Sequence, residues 1–226
     1  MTVKTGDGSN KVEGNGKVIS EAREVPEFNE IRLEGVFNVF LSMGEKATVK
    51  VETDENIQPV IIASVENNVL TIKMKDSTSL SKMTKINIYV TVTELRKLST
   101  EGVGKLRCMS RIEAKELELN CKGVGTTSID LIADKLTVHS EIVGSMILAG
   151  RVSEVHIDHN GVGGIQAFNL QAEKLKLNLD GIGGAEVFAS KELIIEAKGL
   201  GGIKYRGNPQ VKNIDNKGIG KIQQVD

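Results

Sequence analysis

The chain has no tryptophan, two tyrosines and five phenylalanines among 226 residues. An aromatic share of 3% excludes a compact core built on large rings, each of which buries ~150–250 Å². It also leaves almost no platform on which a sugar ring could stack, with Tyr89 and Tyr205 the only tyrosines. Cysteine is scarce too. Cys108 and Cys121 form neither a disulfide framework nor a CxxC pair, so zinc and redox chemistry are not indicated. They are expected to be free thiols. An excess of one charge is missing: 29 Lys+Arg against 30 Asp+Glu leaves a net charge of −1. No field strong enough to recruit nucleic acid or an acidic membrane follows from that. No apolar run approaches the ~18 residues of a membrane helix. The opening stretch, MTVKTGDGSNKVEGNGKV, lacks the apolar core of a secretory signal. The expectation is either a cytoplasmic protein or a mature chain with its signal removed and a starting Met added.

What the chain does have is glycine, 24 residues of it, clustered in a repeat. The second glycine of each Gly-x-Gly unit falls at Gly104, Gly125, Gly144, Gly163, Gly183, Gly201 and Gly220, and only the unit at Gly144 has Ile142 in place of its first glycine. Six residues before each marker stand Leu98, Leu119, Val138, Ile157, Leu177, Ile195 and Ile214, all branched aliphatics. Five before it stand Ser99, Asn120, His139, Asp158, Asn178, Glu196 and Asp215, all polar. Alternation with period two marks strands. A unit of about 19 residues is too short for a helical repeat of 33 or more, and the Asn ladder of leucine-rich repeats is absent. The expected class is all-β: a single-stranded, right-handed parallel β-helix whose glycines turn corners. One position before the marker stand Val103, Val124, Val143, Val162, Ile182, Leu200 and Ile219. These are expected to point back into the core, because an outward aliphatic ridge would be a costly exposed patch.

The first hundred residues are β-rich but irregular. FNEIRLEGVFNVFLSMG reads as a degenerate coil with one glycine where later coils have two. ATVKVET, VLTIKMK and KINIYVTV alternate as strands, whereas NIQPVIIASV, with Pro59 limiting its start, reads as a short helical or irregular connection. The expected organisation is a flexible segment over 1–14, irregular coils and a cap over 15–98, and regular coils over 99–226. A cap is needed because an open rung invites edge-to-edge association.

REVPEFNEIRLEGVFNVFLSMGEKATVKVETDENIQPVIIASVENNVLTIKM, followed by the Gly-x-Gly coils, resembles the bacterial family known as putative autotransporter adhesin, head GIN domain, a domain of unknown function. The resemblance runs over roughly residues 15–222. It implies a right-handed β-helix on an exported protein, in the periplasm or at the cell surface, with the signal trimmed. It implies no catalytic residues.

The residues themselves offer little chemistry. HIDHN holds His156, Asp158 and His159, and His139 lies one repeat before Asp158 in its column. A surface metal site on His139, His156 and Asp158 is the one metal candidate. Against it stands the reading that these are ordinary outward rungs, with His159 in a column that otherwise holds Thr100, Cys121, Ser140, Leu179 and Ala197. A polysaccharide lyase or hydrolase would need grouped carboxylates, but Asp158, Glu196 and Asp215 stand whole repeats apart. The Gly-rich runs precede no helical pattern, so no dinucleotide cofactor is indicated, and no cofactor is expected. The leading expectation is a non-enzymatic binding or adhesin-like module that shows outward ladders to a glycan or protein. A polysaccharide-active enzyme and an assembly protein that forms oligomers are the rivals. Nucleic acid is not an expected partner, and a membrane is one only through a lipid anchor that these residues do not carry.

Overall fold

The computed structural model describes residues 2–4, 10–82 and 85–226. The flexible segment expected over 1–14 falls in part on residues 1 and 5–9, outside the described residues. Among the described residues, sixteen strands run in order: β1 (Thr2–Lys4), β2 (Asn10–Glu13), β3 (Val18–Arg23), β4 (Glu30–Met43), β5 (Thr48–Asp54), β6 (Ile61–Glu66), β7 (Val69–Met74), β8 (Thr78–Ser81), β9 (Asn87–Val92), β10 (Lys97–Cys108), β11 (Ile112–His159), β12 (Val162–Leu179), β13 (Ala185–Ala197), β14 (Ile203–Arg206), β15 (Val211–Asn216) and β16 (Ile222–Gln224). Among the described residues there is no α-helix. A 3-10 turn at Gln58–Val60 occupies the start of the stretch expected to be a short helical or irregular connection, and the aliphatic run after it forms β6 instead. The chain is therefore all-β, with one large mixed sheet and a small three-stranded sheet of β1, β2 and β8.

Successive repeats pair parallel, and each column meets itself. β10 runs beside β11 from Lys97↔Glu118 to Arg107↔Ser128. β11 runs beside β12 from Val143↔Val162 to His159↔Leu179. β12 pairs with β13, and β13 with both β14 and β15. β4 joins this series, with Gly35 opposite Gly102, Val36 opposite Val103, and Phe37 where the marker glycine would stand. Beyond β4 the pairing becomes mixed. β7 and β9 lie parallel to its two halves, and β6, β5 and β3 add antiparallel strands outside them.

The core consists of aliphatic rows inside these repeats. Leu98, Leu119, Val138, Ile157, Leu177 and Ile195 are all fully buried, and Ile31 and Leu70 extend the row into the N-terminal part. Other inward rows carry Leu117, Leu136, Val155, Leu175 and Leu193, and Ile129, Leu148, Ala167 and Val187. Small β-branched and γ-branched side chains at the ~4.8 Å strand spacing can fill such rows without rings, which accounts for the low aromatic content.

The expectation for the residue between the glycines is overturned. Val36, Val103, Val124, Val143, Val162, Ile182, Leu200 and Ile219 are 43–75% exposed. The reason is the alternation itself. Positions six and four before the marker face inward, as Leu119 and Cys121 do. An odd offset from them puts the position one before the marker outside. The glycines beside it answer to the neighbouring repeat. Gly183 has φ +134°, a region L-residues rarely adopt, and a Cβ on it would overlap the carbonyl oxygen of Gly163. Backbone meets backbone there, a spacing only Cα hydrogens allow.

Candidate functional site

The outward aliphatic row is the feature of this surface that the core does not explain. Val36 pairs with Val103, Val103 with Val124, Val143 with Val162, Val162 with Ile182, Ile182 with Leu200, and Leu200 with Ile219. The step from Val124 to Val143 is carried inside β11, where the Gly144 Cα faces the Gly125 carbonyl. Eight aliphatics at ~4.8 Å spacing make a strip of roughly 34 Å. Glycine columns border most of it on both sides, so few neighbouring side chains cover the methyl groups.

Two polar columns flank the strip. Two positions before the aliphatic residue stand Glu34, Glu101, Lys122, Glu141, Asn160, Asp180, Lys198 and Lys217. All but the half-buried Glu34 are exposed. The acidic residues gather toward the N-terminal repeats and the lysines toward the C-terminal ones. Lys122 meets Glu141 of the next repeat at 3.3 Å. Two positions after the aliphatic residue stand Asn38, Lys105, Thr126, Ser145, Gly164, Gly184, Gly202 and Lys221, mostly small or neutral.

The expected metal candidates do come together. His139 Nδ1 lies 3.2 Å and His156 Nε2 3.0 Å from the same oxygen of Asp158, and Asn178 donates a hydrogen bond to the other oxygen. Burial pulls the Asp158 carboxyl upward, but the Asn178 hydrogen bond and the two imidazoles outweigh it and hold the carboxyl below its ordinary value. The His156 ring hydrogen-bonds the carboxylate, and the His139 ring lies within ion-pair distance of the same oxygen. Among the described residues no group of three or more His, Cys, Asp or Glu is arranged to hold a metal ion. The other carboxylates of that column are engaged by lysines: Glu196 by Lys176 at 3.5 Å and Asp215 by Lys217.

His159 is not an outward rung. It is 2% exposed, with Nδ1 3.1 Å from Ser140 Oγ and no partner for Nε2. Burial alone pushes its pKa below the ordinary histidine value. A folded-state pKa below the unfolded one means the native chain resists protonation. The associated stability is complete above the unfolded value near ~6.5 and is lost as pH falls through the folded value, by roughly 1.4 kcal/mol for each pKa unit. Melting temperature should therefore begin to drop as pH falls below about 6.5. The double substitution His159→Leu with Ser140→Ala, which leaves neither polar group orphaned, should flatten that part of the profile. An unchanged slope in thermal melts across this range would remove His159 as its source.

Cys108 and Cys121 are free. Burial pushes the Cys108 thiol up to about 11 and raises that of Cys121 as well, so neither is a ready nucleophile.

The family model described as "Putative auto-transporter adhesin, head GIN domain" matches residues 27–209. A crystal structure of a putative adhesin from Bacteroides fragilis is 29% identical, with a TM-score of 0.92, and the match covers 95% of this chain and 100% of that one. A putative adhesin from Parabacteroides distasonis is 25% identical at a TM-score of 0.69, with 94% and 100% covered. A putative lipid binding protein from the same species is 23% identical at a TM-score of 0.75, with 96% and 100% covered, a likeness of fold. No curated protein matches the chain.

Proposed function

This chain belongs to the head GIN domain family of putative auto-transporter adhesins, and from that premise we propose that it is a non-enzymatic, extracytoplasmic bacterial binding module. Its contact surface is the outward aliphatic strip with its polar flanks, presented to a protein or glycan at the cell surface. Beneath it, the parallel, in-register repeats support a right-handed parallel β-helix with an irregular N-terminal cap over 15–98 and regular coils over 99–226. The marker glycines are its structural positions, and His139, His156 and Asp158 act as a polar surface cluster rather than a metal site.

One observation carries the functional reading: eight branched aliphatics stand half-exposed in a single line. Monomeric proteins rarely leave a contiguous apolar patch larger than ~300–600 Å² uncovered, and such patches mark interaction sites. In the column of Asp158, Glu196 and Asp215 the carboxylates are engaged by lysines, histidines or asparagine, which supports binding over hydrolysis there. The test immobilises glycans and matrix proteins and measures saturable binding by the wild type and by Val124→Asp/Val143→Asp. Binding that falls at least tenfold in the variant, with melting unchanged, is the expected result. Binding that the variant retains would move the contact surface elsewhere.

A further inference from the structure

We propose that the occupant of the strip is a second copy of this chain, laid face to face and antiparallel. The inference rests on the reading of the strip as a binding face and names its partner. The charge pattern of the flanking columns selects this occupant. A two-fold axis that crosses the strip between Val143 and Val162, perpendicular to the row and lying in the contact plane, turns each flanking column onto itself in reverse. Glu34 then meets Lys217 of the other copy, Glu101 meets Lys198, Lys122 meets Asp180, and Glu141 meets Asn160. Three of four pairs are of opposite charge and none is alike. On the other flank Lys105 meets Gly202 and Lys221 meets Asn38, so no like charges oppose there either. The alternative two-fold axis, along the strip, would make the copies parallel and bring Lys217 against Lys221. Like charges set opposite one another suppress the wrong arrangement.

Area agrees with this. Eight half-exposed aliphatics amount to roughly 600 Å² per copy, at the upper end of what monomers leave uncovered. A pair buries about 1,200 Å², the lower end of specific protein interfaces. A net charge of −1 leaves little overall repulsion to overcome. Lys122 and Lys217 already have partners inside the chain, so association is expected at micromolar concentration rather than below it.

Sedimentation equilibrium on the full chain, up to about 100 μM, tests this in five arms. The wild type should dimerise, and more weakly at high salt. Val143→Asp/Val162→Asp should raise the dissociation constant at least tenfold, with melting at dilution, where the wild type is monomeric, unchanged. Glu34→Lys/Glu101→Lys alone and Lys198→Glu/Lys217→Glu alone should each be monomeric, because like charges then face each other at both ends. An equimolar mixture of the two should recover the dimer. A monomeric wild type overturns the proposal, and so does a dimer that survives either charge reversal or a mixture that stays monomeric. Should the wild type stay monomeric while the strip variant still loses its glycan or protein ligand, the strip remains a binding face and only self-pairing falls.

Discussion

Gly183→Val should lower the melting temperature by roughly 8–16 °C, from a loss on the order of 4 kcal/mol at ~2–4 °C per kcal/mol for a chain of this size. Two costs combine. The residue sits at φ +134°, where a β-branched side chain is strained by ~1–3 kcal/mol. Its Cβ would also overlap the carbonyl oxygen of Gly163, so the two repeats must part and give up the backbone bonds between them. Gly183 N donates to Leu200 O at 2.7 Å, and Gly163 N donates to Ile182 O at 2.7 Å, so the damage reaches both neighbours. Gly202→Ala is the matched control: its Cβ would lie 3.4 Å from Lys221 O, with no other heavy atom so near and no unfavourable φ. A change there should stay within about 0.5 kcal/mol. Calorimetry that finds the two variants alike would disprove the claim that backbone contact between repeats dictates glycine.

Leu177→Ala is expected to cost about 2–5 kcal/mol. Leu177 is fully buried between Ile157 and Ile195 of the adjoining repeats. Removing its three outer carbons leaves a void that rows held in register cannot collapse to fill. Val162→Ala, fifteen positions earlier and equally aliphatic, should move stability by no more than about 0.5 kcal/mol, because its side chain is half in water. Both must be measured at dilution, since a bound partner stabilises by mass action. Chemical denaturation that shows equal losses would mean the inward and outward rows have been confused.

Much of this was legible in the residues. The all-β class follows from period-two alternation, and the self-pairing of columns follows from the even spacing of Gly104 to Gly220. The one-glycine repeat at Gly35 was visible because VFNVFL keeps the pattern while Phe37 replaces the marker glycine. The direction of Val124 and its column was misjudged, although the signal was present: with Leu119 and Cys121 inside, simple counting sends Val124 out. The expectation weighed the cost of an exposed patch above the geometry of a strand. The burial of His159 was harder to see, because its column mixes Ser140, Leu179 and Ala197, and only neighbouring repeats reveal that polar members bond each other there. The small sheet of β1, β2 and β8 left no periodic trace, as three- and four-residue strands are too short to show one.

The separation of the two aliphatic populations has a consequence for how such a chain changes over time. The letters between the glycines stand outside the rows that fill the core, and on the proposed reading they are what another molecule would touch first. Scaffold and address are written in different columns. Recognition could be rewritten one rung at a time, without any intermediate that fails to fold.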